Sequence, residues 1–168
     1  MNTPTVSTLY LEDIKRLFAM QKSLAEKALA QIEPDDYHRL LGPEDNSIAI
    51  IMKHVAGNAL SRWTDFLTTD GEKPDRQRDG EFIDQFTTKE EIHAYWERGW
   101  ACVFATMNSL TEEDLTRTIT IRAEPHSVVQ AINRQISHYG YHVGQIVFLA
   151  KHFTSESWKT LSIPKKRA

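Results

Sequence analysis

The chain predicts an all-α fold, an antiparallel four-helix bundle with a long crossover connection and a short extended segment before the last helix. Three observations predict it. Apolar residues recur at three- and four-residue steps through four long segments, Asn, Ser or Thr capping signals precede the last three, and Pro, Gly or polar runs separate them. At 168 residues the chain can bury one sizeable core, and residues 1–168 read as a single domain.

From Leu9 to Ile32 the residues Leu9, Ile14, Leu17, Phe18, Leu24, Ala25, Ala28, Leu29 and Ile32 form one apolar stripe, stopped by Pro34. A second helix runs from Asn46 to Leu67, with Asn46 or Ser47 able to cap its first amides and Asp70-Gly71 beyond its end. The stretch Thr68 to Phe86, rich in Asp, Gly, Arg and Lys and holding Pro74, is expected to be the crossover. Thr87 and Thr88 are each followed three residues later by Glu, giving two overlapping capping boxes for a third helix that reaches about Leu110. That helix carries Tyr95, Trp96, Trp100 and Phe104. Thr118 to Arg122 alternates β-branched and polar residues, which suits a short extended segment or one arm of a hairpin, too short for a sheet. Pro125-His126-Ser127 opens the last helix, with Ser127 and Gln130 spaced as a capping box. Its stripe runs from Val128 through Ala131, Ile132, Ile136, Val143 and Ile146 to Phe153. Helices with one apolar face each bury those faces most simply as a bundle.

Composition removes several classes of function. Net charge is −3, from 20 Lys and Arg against 23 Asp and Glu, with both signs dispersed, which leaves no footprint for nucleic acid. The one basic cluster, Lys165-Lys166-Arg167, reads as a solvated tail. A single cysteine, Cys102, excludes an intramolecular disulfide and a multi-Cys zinc cluster, so any metal must be held by His and carboxylates. No positive segment followed by an apolar run marks Met1 to Tyr10, and no eighteen consecutive apolar residues occur; no membrane partner and a cytoplasmic location are expected.

The sharpest local signal is His138-Tyr139-Gly140-Tyr141-His142. Residues four apart lie one turn above each other on one helix face, so both imidazoles can reach a single ion. They share a stripe with Ala131, Gln135, Ile146 and Leu149 and so face the interior. His54, one turn after Ile50 and Ile51 and beside Val55, lies on the apolar side of its own helix. Either feature alone has a plainer reading, a core histidine bonded to a nearby carbonyl. Together, three imidazoles meeting in an apolar core would strand ring nitrogens at about 1–3 kcal/mol each, which a metal ion relieves. His38, His93, His126 and His152 sit at loop or helix-flank positions and read as surface histidines, with His126 the one that could border the mouth of the site.

The run Ser47 to Asn58 (SIAIIMKHVAGN), the later Glu124-Pro125-His126-Ser127-Val128, and His138 to Ile146 (HYGYHVGQI) together resemble the DinB/YfiT-like metalloenzyme superfamily, a DinB-like branch of uncharacterised function, over nearly the whole chain. The resemblance implies a four-helix bundle holding a metal by one histidine of the second helix and two of the last, here His54, His138 and His142. It also implies a homodimer. Better understood relatives use low-molecular-weight thiols such as mycothiol or bacillithiol in isomerase or S-transferase reactions, so a thiol cosubstrate is an expectation on the same ground.

Three imidazoles leave a coordination position open, the arrangement of a catalytic rather than a closed structural site. The positions one turn from the pair hold Arg134, Gln135, Gln145 and Ile146, none of them a carboxylate. Zinc is the first choice of ion and nickel the second, because imidazole suits both. The expected chemistry is activation of water or a thiol for transfer or hydrolysis on a small molecule, by a thiol S-transferase-like transferase or a hydrolase. The alternative is a non-catalytic, metal-stabilised dimeric bundle with a structural or interaction role. Asn58, Arg62, Gln135 and Gln145 read as hydrogen-bonding residues that support the site rather than meet substrate. Trp96 and Trp100 read as core packing, and Cys102 as a small buried hydrophobe.

Overall fold

A computed structural model describes residues 3–164; the basic tail read from Lys165-Lys166-Arg167 lies outside them. Four helices carry the architecture: α1 (Val6–Leu29), α2 (Ile48–Trp63), α3 (Lys89–Ser109) and α4 (Val128–Thr154). A hairpin of β1 (Thr118–Ile121) and β2 (Glu124–Ser127) precedes α4. The principal packing pairs are α2 with α3 and α1 with α4, while α2–α4 and α1–α3 pack less closely.

Each helix starts where a side chain satisfies amides that have no partner in the helix itself. Thr5 accepts from the Thr8 amide for α1, and Ser47 from the Ile50 amide for α2. Thr88 and Glu91 close a reciprocal capping box on α3, and Ser127 and Gln130 close another on α4. Of the two overlapping boxes expected before α3, the Thr88 one forms; Thr87 instead gives both its amide and its hydroxyl to Glu91, each at 3.0 Å.

The apolar stripes meet in one core. Phe18 of α1 is fully buried and sits edge-on to Trp63, Trp100 and Tyr139, with ring centres 5.8, 6.4 and 5.9 Å away. Trp63 donates its indole N–H to the Tyr139 hydroxyl at 3.0 Å, so the largest side chains of α2 and α4 are joined by a satisfied buried hydrogen bond. Trp96 and Trp100 are core residues, as their spacing suggests. Among the described residues no helix is long and apolar enough to cross a membrane.

The structure corrects several expectations. The first helix ends at Leu29 rather than Ile32, because Pro34 opens a separate 3-10 turn, Pro34–His38. The second stops at Trp63: Asp65 takes a positive φ of 47° and its carbonyl collects the amides of Thr68 and Thr69. The segment before α4 does make a sheet, with Ile119 opposite His126 and Ile121 opposite Glu124, so Pro125 and His126 belong to a strand and α4 begins after them. Cys102 is half-buried rather than buried, within α3 at the edge of the core, with its sulfur 3.6 Å from the Thr64 hydroxyl. His93 is half-buried, its Nε2 2.7 Å from the Tyr37 hydroxyl; His38 and His152 are exposed as expected.

Candidate metal centre

Interior faces of α2 and α4 place three histidines around one point. His54 from α2 and His142 from α4 are each 6% exposed, and His138 is half-buried one turn before His142. One ring nitrogen from each lies within 4.8 Å of the other two. Nε2 of His54 stands 3.2 Å from Nε2 of His138, and the ring centres are 4.7–5.2 Å apart.

The opposite ring nitrogens determine which tautomer each histidine holds. His54 Nδ1 lies 2.8 Å from Glu81 Oε2. Glu81 is buried in its own right; burial raises its carboxyl, but hydrogen bonds from His54 and Arg76 and the Arg76 charge outweigh that and hold it below the usual carboxylate range. An ionised carboxylate only accepts, so His54 Nδ1 donates to it and Nε2 is the nitrogen turned to the centre. His142 Nδ1 likewise meets Gln145 Oε1 at 2.8 Å. Its Nε2 is buried without a hydrogen-bond partner, as is Nδ1 of His138.

Both α4 histidines resist protonation. Burial, followed by the neighbouring charges of His142, His54, Arg76 and Arg62, pushes His138 down to about 3. Burial chiefly, offset by the Gln145 hydrogen bond and reinforced by His54, takes His142 to about 4. At neutral pH these rings are lone-pair donors. Convergent and partly orphaned imidazoles are a donor set that fits a divalent metal ion, and the arrangement is compatible with a metal site.

The cluster opens on a cavity of about 320 Å³. Phe82 lies 4.8 Å from the His54 ring and Tyr141 4.0 Å from the His142 ring, walling two sides. Asn58 and Gln135 line it as a bonded pair at 2.5 Å. Arg62, Arg76, Arg78, Arg122 and Arg134 also line it, and no Asp or Glu does. A larger, shallower groove of about 820 Å³ runs outside Arg76 and Glu81 along Lys53 and Arg98, but none of the three histidines borders it. The three imidazole donors converge on the smaller cavity.

A family model described as "Protein of unknown function (DUF1572)" matches residues 5–167. The chain belongs to this family. No curated protein matches it.

In this DUF1572 chain the three histidines expected to gather do so, and Asn58, Gln135 and Gln145 are hydrogen-bonding residues as expected, Gln145 with His142 and Asn58 with Gln135. Arg62 departs from that expectation, since its side chain makes no hydrogen bond among the described residues and its Nε and Nη1 are buried without partners. His126 does not border the cavity; its Nε2 lies 3.5 Å from Arg134 Nη1. Sequence reasoning missed Glu81 and Arg76, which lie in the connection read only as a crossover. Arg76 grips both Glu81 oxygens at 2.8 and 2.7 Å and also bonds Glu72. One trace of Glu81 was visible: Gly57, three residues after His54, interrupts a helix interior at a cost of about 1 kcal/mol relative to Ala. A Cβ there would stand 2.5 Å from Glu81 Oε1, so the glycine makes room for the carboxylate that orients His54.

Proposed function

We propose that this chain is a metal-dependent enzyme of the DinB/YfiT-like kind, an antiparallel four-helix bundle whose His54, His138 and His142 hold one divalent ion and whose cavity admits a small-molecule substrate. The observation that carries the reading is the convergence of three imidazole nitrogens within 4.8 Å on a cavity lined by no carboxylate. A set of three neutral ligands leaves a position for water or substrate. Zinc is the first candidate ion and nickel the second. When bound, such an ion supplies Lewis acidity that lowers the pKa of water or a thiol toward neutrality, the requirement for hydrolysis or thiol transfer.

The chain's own residues do the rest. Glu81 and Gln145 hold protons on the outer nitrogens of His54 and His142, which fixes ring orientation and raises ligand basicity. Phe82 and Tyr141 restrict water on two sides of the rings. A low-molecular-weight thiol as cosubstrate, assembly as a homodimer and residence in the cytoplasm belong to the same reading. The second reading, a structural ion, draws on one observation: α2 and α4 pack less closely than α2 and α3, so an ion between them would serve as a clamp.

Metal analysis of the purified protein beside a His54→Ala, His138→Ala double variant, with thermal melting of both, tests the proposal. Stoichiometric metal in the wild type, its loss in the variant, and a variant that stays folded support an enzyme's open site. Equal affinity for added Zn²⁺ or Ni²⁺ in both proteins sinks it, and complete unfolding of the variant favours the clamp. Hydrolysis and thiol-transfer substrates are then screened on the loaded protein.

A further inference from the structure

The cavity beside the histidines has a strong charge asymmetry, since its lining holds five arginines and no acidic side chain. Most of that charge is already answered. Arg76 is paired with Glu81 and Glu72, Arg122 with Glu72, and Arg78 with Asp79. Arg62 and Arg134 have no carboxylate partner among the described residues.

Arg62 is the unusual one. It is 3% exposed, lines the cavity, forms no side-chain hydrogen bond among the described residues, and buries Nε and Nη1 with nothing to accept from them. A guanidinium is a fork of five donors, and burying such a charge without acceptors is expensive. Burial, the largest influence on it, draws even this group down to about 10. Arg62 also follows His54 by two helical turns on α2, so both side chains enter the same cavity from one rigid element.

We propose that the cavity binds a small oxyanion, the carboxylate or phosphate group of the substrate, with Arg62 as its buried anchor and Arg134 at the rim. Two parallel N–H donors match the paired oxygens of either group, a geometry that a single ammonium cannot offer. The anchored anion sets which end of the substrate faces His54, His138 and His142. The proposal deepens the metal-enzyme reading by assigning the substrate's charge, and rests on that reading for the cavity's being the active site.

Calorimetric titration with inorganic phosphate and with succinate, at fixed ionic strength, on both metal-free and zinc-loaded protein tests it. Saturable binding is expected in both forms, and whichever of the two anions binds more tightly identifies the group. Arg62→Met should weaken it about 10- to 100-fold, the worth of charge-assisted hydrogen bonds to one guanidinium, while zinc affinity stays unchanged. Should Arg62→Met not fold, Arg62→Lys carries the comparison, with the charge kept, the fork lost and affinity lowered about tenfold. No saturable binding to wild type, or equal affinity in wild type and a folded Arg62 variant, overturns the proposal. Anion binding that depends on Arg62 in a protein that takes up no zinc upholds this inference and defeats the metal reading.

Discussion

The proton on His54 Nδ1 is held by a carboxylate that comes from a connection rather than from a helix, and Arg76 in turn holds that carboxylate. The chain Arg76–Glu81–His54 is buried at every link, so weakening the middle link should be felt at the imidazole. Glu81→Gln keeps the shape but makes the acceptor neutral and leaves Arg76 with only Glu72 as a charge partner. Affinity for Zn²⁺ should drop about 10- to 100-fold, the usual cost of altering such a supporting group, with helical circular dichroism unchanged. An unaltered affinity would show that Glu81 serves the fold alone. The histidines themselves were legible because ligand spacing and helical period coincide at His138 and His142, and because His54 falls on an apolar face. Glu81 and Arg76 were not, because a segment without periodicity says nothing about which residue folds back onto α2. Arg62 was visible, but its type fitted a supporting role as well as an anchoring one, and only its lack of partners separates the two.

Helix starts were the most legible elements, since Ser47, Thr88 and Ser127 cap where their sequence signals stand. Ends were less so, because they depend on local turns such as that at Asp65. The hairpin was half legible: β1 alternates, whereas β2 contains Pro125 and carries no such signature. Its turn is more unusual still. Arg122 and Ala123 have φ of 55° and 62°, a two-residue hairpin turn that ordinarily takes Asn and Gly. Asp70 stabilises it from outside, its carboxylate accepting the amides of Arg122 and Ala123, both at 2.8 Å. Those bonds also hold Arg122 at the cavity. Because a left-handed alanine costs about 1 kcal/mol or more, Ala123→Gly should raise stability by up to about 1 kcal/mol, read as a higher midpoint in urea. A lower midpoint would mean that Asp70 had already removed the strain. On α3, Gly99 faces α2 so closely that a Cβ would lie 2.7 Å from the Ala56 Cα. Since that neighbour is backbone, Gly99→Ala must push the best-packed helix pair apart, and should cost about 1–3 kcal/mol as overpacking usually does. Denaturant unfolding that matches wild type would contradict the close approach.

Across the molecule, stability and the site are linked through protons. His138 and His142 titrate near 3 and 4 in the folded protein, against about 6.5 for an unfolded histidine. Between those limits the unfolded chain takes up protons that the folded chain refuses, so stability must fall as pH falls, beginning near 6.5 and continuing to about 3. Glu81, held below its usual range, acts in the same direction at the acid end of that window. The proposed metal ion would add to the effect from the other side. An ion present at 100 times its Kd stabilises the folded state by about 2.7 kcal/mol, and protons compete with it for all three imidazoles. The metal-free protein should therefore lose melting temperature steadily from pH 7 to pH 4. The zinc-loaded protein should start higher, fall more steeply, and converge on the metal-free curve once protons have displaced the ion. Replacing His138 and His142 by Gln should flatten the metal-free profile and abolish the difference between the two. Melting curves at several pH values, with chelator and with excess zinc, measure all of this in one series. A metal-free melting temperature that holds constant or rises on acidification would show that the α4 histidines are solvated in solution, which would remove the buried, lone-pair-bearing donors on which the proposed metal site depends.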